Sequence, residues 1–591
     1  MRENNQWLNH LINAVPEHGV GNRLSMFLIA LEAWRRGVTV KFYTIDNEEN
    51  KTLIRCSLSY NGREHHFESS KGDLLSKEAF DICEDKDITK SHLASGGVRV
   101  PKGIRMNEES DRQEIIDFAN SIGFPVVLKP ISENAGQGVF SNIQNEDDLI
   151  NTIEYLHTTL NYEELILEEF IEGNEYRILV INGEVVGAVN RLPANVIGDG
   201  ESTIEQLIKE KNQSKRTNPT LSKKKIQLDR EVTDRLELLN LTTSDVLESG
   251  ERLFLRTKTN ASTGGDPIDV LDDLDEETLN MARDAAKSIP GLDIAGMDFI
   301  INEETGAKSI IEINTKPMIG LHVFPIEGKA RDVVKPIVDF YFPETVGQKQ
   351  NDLLYFDFIA AIAPLDNITT KEVYVHPVPI TEYIATKFVV ESEQLIGGEL
   401  SEIRLSALGS GLHGSVRKVG LSRIEILAVG NDAKKIEIFK KELSEILDGE
   451  EAFTITEEQI QTPVRVGFHI ERDSEEELRD RLYENRKKRE ELKGKINQYK
   501  KDYRKTLKKI EQYKVREEKL NEKNDILKKD LRFAKKAFNI IESYKYELKN
   551  EKREVEKERD YYKKELNKLI TSSSWRVTYP LRKVVGKVKG K

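Results

Sequence analysis

Cysteine is nearly absent from this chain, since only Cys56 and Cys83 occur among its 591 residues. Their spacing fits neither a redox motif nor a cysteine-based metal site, and the scarcity is typical of a reducing compartment. Long apolar runs are also missing, because no stretch reaches the roughly 18 residues that a transmembrane helix needs. The first residues, Met-Arg-Glu-Asn-Asn-Gln, contain no apolar signal core. These absences predict a cytoplasmic protein and argue against export.

Charge is abundant but unevenly distributed. Charged residues make up 32% of the chain and apolar residues 38%, which is hydrophilic for a globular enzyme. From residue 481 onward there are 37 basic and 18 acidic residues, a net charge of +19, whereas the first 480 residues carry −32. The length suggests about three or four domains. The composition therefore predicts an acidic multidomain head joined to a basic stalk.

The most informative constellation is Asp298, Glu312 and Asn314 in the run GMDFI(x12)IEIN. The segments 296–301 and 309–313 are predicted to be two strands of a hairpin, joined by the turn-rich 302–306. Glu312 and Asn314 are two residues apart, so their side chains leave the same face, and Asp298 can meet them across the ladder. Two acids and an amide oxygen suit Mg²⁺ held jointly with nucleotide phosphates. The alternative is a solvated hairpin with ordinary surface acids.

A second constellation lies upstream. The apolar segment 124–130 ends in Lys129, and a loop rich in small residues, 132–138, follows it. Glycine lets a backbone approach phosphate closely, and a lysine would neutralise the anion. No Gly-Lys-Ser/Thr follows, so this is not a P-loop, and a plain strand-to-helix turn is the alternative. Lys86 lies 43 residues earlier, and segment 165–177 is predicted to be an apolar strand that breaks into an acidic hinge.

In this order and spacing the motifs resemble the ATP-grasp superfamily, above all the ligase domains of cyanophycin synthetase and of bifunctional glutathione synthetases. The resemblance covers about residues 81–345 and includes RLPANVIGDG at 191–200, NASTGG at 260–265 and GLDIAGMD at 291–298. It implies an α/β (α+β) ATP-grasp fold.

The resemblance also implies a role for each matched position. Lys86 and Lys129 would contact ATP phosphates, and the loop with Ser132, Gly136 and Gly138 would close over the triphosphate. Glu168 and the main chain of Glu169 and Ile171 would hold adenine, and Glu175 would bind the ribose. Asp298, Glu312 and Asn314 would carry Mg²⁺ or Mn²⁺.

Two arginines are candidate catalytic residues. Arg191 and Arg256 would hold the acyl phosphate or the acid substrate, because guanidinium groups pair bidentately with such oxygens. Ordinary surface ion pairing is the alternative for both.

The implied chemistry is ATP-dependent amide formation through an acyl phosphate, which needs positioning and charge neutralisation more than a covalent protein group. The sequence departs from the family after the metal asparagine. It reads Asn-Thr-Lys-Pro-Met at 314–318, so that Lys316 lies where an acceptor would bind. The carboxylate and amine substrates are not identified by the sequence.

The flanking regions are predicted from weaker patterns. Residues 1–80 are expected to form a small α/β unit, and residues 346–381 a linker. Residues 382–471 resemble an acylphosphatase-type, ferredoxin-like module that ends in a strand at 464–470. Aligning through 411–418 puts Leu400 and Lys418 where an acylphosphatase needs arginine and asparagine, so the module is expected to be non-catalytic.

Residues 472–570 are predicted to form a coiled coil. Alternating steps of four and three residues give 27 core positions, of which 19 are apolar, and a single helix of this length would span about 140 Å. Asn524 at a core position favours a parallel homodimer. The alternative is a helical hairpin that folds back at Gly494 or within 521–525.

The last residues, 571–591, are basic and contain Trp575 and Pro580. They are similar to tails that follow coiled coils in bacterial surface-polysaccharide glycosyltransferases. This similarity predicts contact with an anionic inner membrane surface or with a polysaccharide synthesis complex. Nucleic acid is the weaker candidate, because no stacking aromatics alternate with the cations.

Three functions from different classes follow from the sequence. The leading one is an ATP-grasp carboxylate–amine ligase that acts on an amino acid, a peptide or a cell-surface glycan precursor. The second is an ATP-binding scaffold that assembles a synthesis complex through its coil. The third, a hydrolytic acylphosphatase fused to a nucleotide-binding domain, is disfavoured by the missing arginine.

Overall fold

A computed structural model of the protein describes residues 7–16, 21–47, 51–131, 138–257, 264–392, 399–420, 422–447, 453–471, 475–519 and 524–571. The predicted tail, 571–591, lies outside this description except for Thr571, and so do the loop residues Ser132 and Gly136. Within the described residues, no helix is both long and apolar enough to cross a bilayer.

The N-terminal unit is a sheet packed on one buried helix. All twelve residues of α1 (Leu24–Arg35) are buried, because the helix lies between the sheet and the domain that follows. The strands are β1 (Thr39–Asp46), β2 (Thr52–Tyr60), β3 (Arg63–Glu68) and β4 (Lys71–Gly72). This helix and these strands form an α/β unit within residues 1–80, where the sequence analysis expects one.

The next region is built on an antiparallel four-stranded sheet. Its elements are α2 (Lys77–Glu84), α3 (Lys86–Ser95), β5 (Gly103–Asn107), α4 (Arg112–Ile122), β6 (Val126–Pro130), β7 (Phe140–Ile143), α5 (Glu146–Thr158) and β8 (Glu164–Glu169). The sheet order is β5-β8-β6-β7. The Asp85 side chain accepts hydrogen bonds from the N–H groups of residues 87 and 88 and so caps α3. This cap fixes Lys86 as the first residue of the helix.

A second antiparallel sheet is formed by the part of the chain that follows. Its elements, with their helices, are β9 (Asn174–Ile181), β10 (Glu184–Leu192), β11 (Asn195–Ile197), α6 (Ile204–Arg216), α7 (Arg230–Leu238), β12 (Arg252–Phe254), β13 (Asp266–Asp269), α8 (Glu276–Lys287), β14 (Ile294–Ile301), β15 (Lys308–Asn314), α9 (Gly320–Val323) and α10 (Val334–Tyr341). The sheet order is β13-β10-β9-β14-β15, and β11 pairs with β12 separately. The predicted hairpin is confirmed, because β14 pairs antiparallel with β15 and places Asp298 opposite Glu312.

The prediction that residues 346–381 form a linker is wrong. They contain β16 (Leu354–Tyr355), α11 (Phe358–Asp366) and β17 (Glu372–Val375), and β17 pairs antiparallel with β1. The Phe358 ring centroid lies 4.8 Å from that of Phe27 and 5.4 Å from that of Phe42. The segment belongs to the N-terminal unit because its aromatic side chains complete the core between α1 and the sheet.

The following module has two helices on one face of a five-stranded sheet. Its elements are β18 (Ile384–Ser392), α12 (Glu399–Gly409), β19 (His413–Val419), β20 (Arg423–Gly430), α13 (Ala433–Leu447), β21 (Phe453–Gln459), β22 (Val464–Arg465) and β23 (Phe468–Glu471). The sheet order is β21-β18-β20-β19-β23, and β22 pairs with β16 instead. The predicted last strand at 464–470 is split into β22 and β23. The strand that follows α13 is β21, which pairs with β18 at one edge of the sheet, and β23 pairs with β19 at the opposite edge.

The long C-terminal helix folds back on itself. α14 (Glu475–Lys519) and α15 (Asn524–Thr571) pack against each other. Tyr499 stacks on Tyr544 at 5.7 Å, and Tyr503 packs on Phe538 at 5.0 Å. Residue numbers rise on one helix as they fall on the other, so the pair is antiparallel. The predicted continuous rod is wrong and the hairpin alternative describes the chain, because the apolar seam is filled from within one molecule.

We expect Phe358→Ala to lower the free energy of unfolding of the N-terminal unit by about 3–5 kcal/mol, because it empties a site enclosed by aromatic rings. Ile359→Ala is the matched control, since Ile359 is 40% exposed and should cost little. Urea unfolding of both variants checks the difference. Equal effects would return residues 346–381 to the status of a linker.

Candidate active site

The first cluster is a buried carboxylate between two lysines. Glu168, in β8, is nearly inaccessible to solvent. Its Oε2 lies 2.8 Å from the Nζ of Lys129 on β6, and its Oε1 contacts the Nζ of Lys90 on α3. Burial would raise the pKa of Glu168, but Lys129 and Lys90 outweigh burial and hold that pKa below its usual value. The carboxylate is therefore ionised at neutral pH, and the two lysines outnumber it by one positive charge.

Lys90 is a site residue that the motif analysis missed. It lies four residues after Lys86 on α3, and residues at this spacing share a helix face. The Lys-x-x-x-Lys spacing was therefore the available signal. The signal is weak by itself, because the same spacing occurs on many solvated helices.

Lys86 connects the first sheet to the second. Its Nζ donates a hydrogen bond of 2.9 Å to the carbonyl of Ile131, directly after β6. Lys86 and Lys90 also line a narrow cleft with Glu312 on β15. Burial lowers the pKa of Lys86, and the charge of Glu312 opposes that shift. The candidate phosphate-binding lysines thus lie beside the candidate metal-binding strand.

The second cluster is centred on Asp298, which is buried in β14. Arg177 on β9 is its direct cross-strand neighbour. The Arg177 Nε and Nη2 both donate to this carboxylate, the latter at 2.9 Å, and Nη2 of Arg191 lies 3.3 Å from Asp298 Oδ2. Burial would raise the pKa of Asp298, but the two guanidinium groups outweigh it and hold that pKa below its usual value.

A glycine makes room for this ion pair. A Cβ added to Gly296 would lie 3.1 Å from the Arg177 side chain and 2.7 Å from Pro317. Both distances are shorter than ordinary carbon contacts, so a larger residue would displace either the arginine or the loop after Asn314. The glycine of the GMD motif is therefore required by close packing.

Arg191 joins two predicted roles. Besides Asp298, it forms an ion pair with Glu175 on β9, the residue expected to bind ribose. Its side chain therefore spans from the predicted nucleotide end of the site to the predicted metal end. Sequence reasoning identified both residues but not their pairing.

The residues present fit Mg²⁺ chemically. Asp298 and Glu312 are register partners and supply carboxylate oxygens. The buried amide nitrogen of Asn314 has no hydrogen-bond partner in the described part of the chain, and the amide oxygen is the atom that would bind a cation. No group of three or more His, Cys, Asp or Glu side chains suited to a metal occurs among the described residues. A Mg²⁺ ion held by Asp298, Glu312 and Asn314 would therefore need phosphate oxygens to complete its coordination.

The structure does not bring every predicted residue to this cluster. Arg256 is buried and pairs with Asp229 and Glu231 at the start of α7, and its contact with the acid substrate stays a prediction. The N–H of Glu169 donates to the carbonyl of Lys102, and Ile171 is buried. Gly138 has a φ of +67°, which favours glycine at the end of the predicted phosphate loop.

The loop after Asn314 is tied to the N-terminal unit. The Nζ of Lys316 lies 2.7 Å from Glu68 Oε1 on β3. Burial would raise the pKa of Glu68, but Lys316 and other cations lower it to about 2. The lysine at the predicted acceptor position is therefore engaged by an acid of another unit, which the sequence pattern did not indicate.

A wider cleft of about 710 Å³ lies elsewhere, between the N-terminal segment and the module built on β18–β21. Its lining includes Trp7, Phe324 and Arg417 but neither Glu168 nor Asp298. The convergence of charged groups, not cavity size, identifies the site described above.

His322 lies beneath the second cluster and is completely buried. Neither ring nitrogen has a hydrogen-bond partner within the described residues. Burial, with a smaller contribution from Arg177, lowers the pKa of His322 to about 3. The ring is therefore neutral at physiological pH and adds no third positive charge beside Asp298.

Comparison with known proteins identifies relatives of the central region. Residues 106–240 match the family described as prokaryotic glutathione synthetase, ATP-grasp domain. The chain is 33% identical over 293 residues to cyanophycin synthetase of Crocosphaera subtropica, covering 48% of this chain and 33% of that protein. It is 34% identical over 332 residues to the glutathione biosynthesis bifunctional protein of Clostridium perfringens, covering 54% and 41%. The chain thus spans about a third to two fifths of the length of these relatives.

Among solved structures, a bifunctional glutathione synthetase from Pasteurella multocida covers 51% of this chain and 41% of its own. The two chains are 27% identical over that region, with a TM-score of 0.40.

The pKa of His322 predicts an acid-sensitive contribution to stability. The folded pKa is about 3 and the unfolded value about 6.5, so the unfolded chain takes up this proton first as the pH falls. Stability is therefore lost below about pH 6.5, by about 1.5 kcal/mol on reaching pH 5. We expect His322→Asn to lose that much less over this range in urea unfolding. Parallel pH profiles would contradict the buried neutral ring.

Proposed function

Because the chain contains an ATP-grasp domain of the glutathione synthetase type, we propose that the protein is a Mg²⁺-dependent ligase that uses ATP to join a carboxylate to an amine. The relatives of this domain are C–N ligases, and ATP-grasp ligases use ATP with Mg²⁺ or Mn²⁺. The observation that carries the proposal is the position of Lys86, which contacts the first sheet through Ile131 and lies beside Glu312 of the second.

The cationic groups on the first sheet and α3 supply the nucleotide site. Lys129 and Lys86 would neutralise phosphate oxygens, and Lys90 would keep Glu168 oriented and ionised for the adenine amino group. Glu175 would accept hydrogen bonds from the ribose hydroxyls. Arg191, which forms an ion pair with Glu175, would also pair with the substrate. Each of these contacts replaces hydration with fixed charges, which is the main requirement of phosphoryl transfer.

Asp298, Glu312 and Asn314 would hold Mg²⁺ with the phosphates. When bound, the ion would offset the charge on the triphosphate and help to orient the γ-phosphoryl group. Arg177 keeps Asp298 in place on the strand, and Arg191 would hold an acyl phosphate. Asp298 would therefore bind the metal ion and also pair with two arginines.

The reaction has two balanced steps. A carboxylate oxygen of the acid attacks the γ-phosphorus, and the bond between that phosphorus and the β–γ bridging oxygen breaks, releasing ADP. The amine nitrogen then attacks the acyl carbon, the C–O bond to phosphate breaks, and the amine loses a proton as the amide forms. The chain supplies position and charge for both steps and forms no covalent bond to the substrate.

The substrates are proposed to be an amino acid or peptide on both sides. The relatives that support this are named for cyanophycin and glutathione synthesis and form amide or peptide bonds. The loop at 315–318 and Lys316 would shape the acceptor side. Phosphate release from ATP in the presence of amino-acid, peptide and sugar-acid pools tests the choice, and release only with sugar acids would redirect it to glycan precursors.

We expect Glu312→Ala to abolish ATP turnover, by at least about a hundredfold, while leaving the fold intact. Glu304→Ala, in the exposed turn of the same hairpin, is the matched control and should retain full activity. Phosphate release measures turnover, and circular dichroism checks the fold. Normal ATP turnover by Glu312→Ala at an ordinary Mg²⁺ concentration would contradict the ligase assignment.

Lys129→Ala should weaken nucleotide binding, because it removes a phosphate-neutralising cation and leaves Glu168 with a single lysine. The measurement is the rise in melting temperature on adding ATP, which we expect to be small or absent in this variant. Lys102→Ala, an exposed lysine just before the same sheet, should keep the full rise. An unchanged response in Lys129→Ala would place the phosphates elsewhere.

A further inference from the structure

The helical hairpin carries a belt of cations at one height. The contact between Tyr503 and Phe538 sets residues 500–509 of α14 beside residues 532–541 of α15. These two stretches contain nine lysines and arginines and a single acid, Asp502. All nine basic side chains are exposed, namely Lys500, Lys501, Arg504, Lys505, Lys508, Lys509, Arg532, Lys535 and Lys536. The belt therefore carries a net charge of +8 within a few helical turns.

An apolar stripe runs along α15 through the same region. Phe533 is 75% exposed and Ile540 54%. They are separated by seven residues, so both lie on one face of the helix. Lys536 is three residues after Phe533 and four before Ile540, which places it next to both. Large apolar side chains that stay exposed in this way indicate a binding surface.

We propose that the belt and the stripe together dock the hairpin on the surface of an anionic lipid bilayer. Acidic headgroups would neutralise the cations, and Phe533 and Ile540 would enter the boundary between headgroups and acyl chains. The hairpin would lie on the membrane without crossing it. This role is independent of the ligase activity, because the residues lie outside the candidate active site.

Charge distinguishes this occupant from the alternatives. A second copy of the belt would be repelled, since two surfaces of +8 would meet. A nucleic acid would satisfy the lysines but offers no apolar layer for Ile540. An anionic bilayer supplies both the charge and the apolar layer that the surface requires.

The test is sedimentation of the full-length protein with vesicles of phosphatidylcholine, with and without phosphatidylserine. The belt variant is Lys505→Glu with Lys509→Glu and Lys536→Glu. The matched control makes the same change in charge nearer the other end of the hairpin, with Arg553→Glu, Lys563→Glu and Lys564→Glu, all at exposed positions. We expect the belt variant to bind phosphatidylserine vesicles at least about tenfold more weakly, and the control to lose much less.

The stripe is tested separately. Phe533→Ser with Ile540→Ser should weaken binding severalfold at unchanged charge, whereas Tyr546→Ser, which is 69% exposed on another face of α15, should not. Unchanged helicity by circular dichroism shows that each variant is folded. Residues 572–591 are the same in every variant, so equal binding by all of them would overturn the proposal in favour of the tail.

Other outcomes would also overturn the proposal. Equal binding to vesicles without phosphatidylserine would exclude charge recognition. Displacement of the protein from vesicles by RNA, together with binding to RNA that both the belt and the stripe variants lose, would make nucleic acid the occupant. A change from dimer to monomer in the stripe variant, with vesicle binding retained, would assign the face to a second copy.

Discussion

The rest of the site depends on the ion pairs that the buried carboxylate of Asp298 forms with two arginines. The carboxylate lies within a sheet, away from water, and among the described residues Arg177 and Arg191 offset the cost of its charge. Removing one partner of a buried ion pair typically costs about 3–5 kcal/mol, because the other charge is left without compensation. The pairing therefore fixes β9, β10 and β14 relative to each other. The positions of Glu312 and Asn314 depend on this arrangement as well, because β15 pairs with β14.

Charge balance also links the two sheets. The first sheet and α3 present more positive than negative charge around Glu168, and the second presents carboxylates around Glu312. Lys86 lies between them, at the capped first residue of a helix, where it is held by both a backbone carbonyl and the field of an acid. A triphosphate with its cation carries complementary charges for both sides. Because a charged group away from water needs an opposite charge nearby, these charged groups suit a ligand that displaces water and pairs with each of them.

The strand pair with Asp298 and Glu312 was predictable because its pattern is local: a two-residue spacing and a turn determine which side chains share a face. Lys90, Arg177 and His322 escaped prediction because their roles arise from contacts across sheets and helices. The heptad pattern correctly located a seam but not its partner. The two helices are adjacent in sequence, since α14 ends at Lys519 and α15 begins at Asn524. Bringing such neighbouring segments together costs little entropy, whereas a dimer loses translational and rotational freedom on association. Residues 346–381 were misjudged because their aromatic side chains are buried by a sheet formed three hundred residues earlier.

The central claim is that a substrate carboxylate attacks the γ-phosphorus of ATP, and oxygen isotope transfer tests it most directly. The protein would be incubated with ATP, Mg²⁺ and amino acids and peptides whose carboxyl groups carry ¹⁸O. An acyl phosphate carries one carboxyl oxygen into the phosphate when the amine displaces it, so the released phosphate should contain a single ¹⁸O atom. Phosphate released without the label would show that water attacks ATP, and the site would then belong to a hydrolase rather than a ligase.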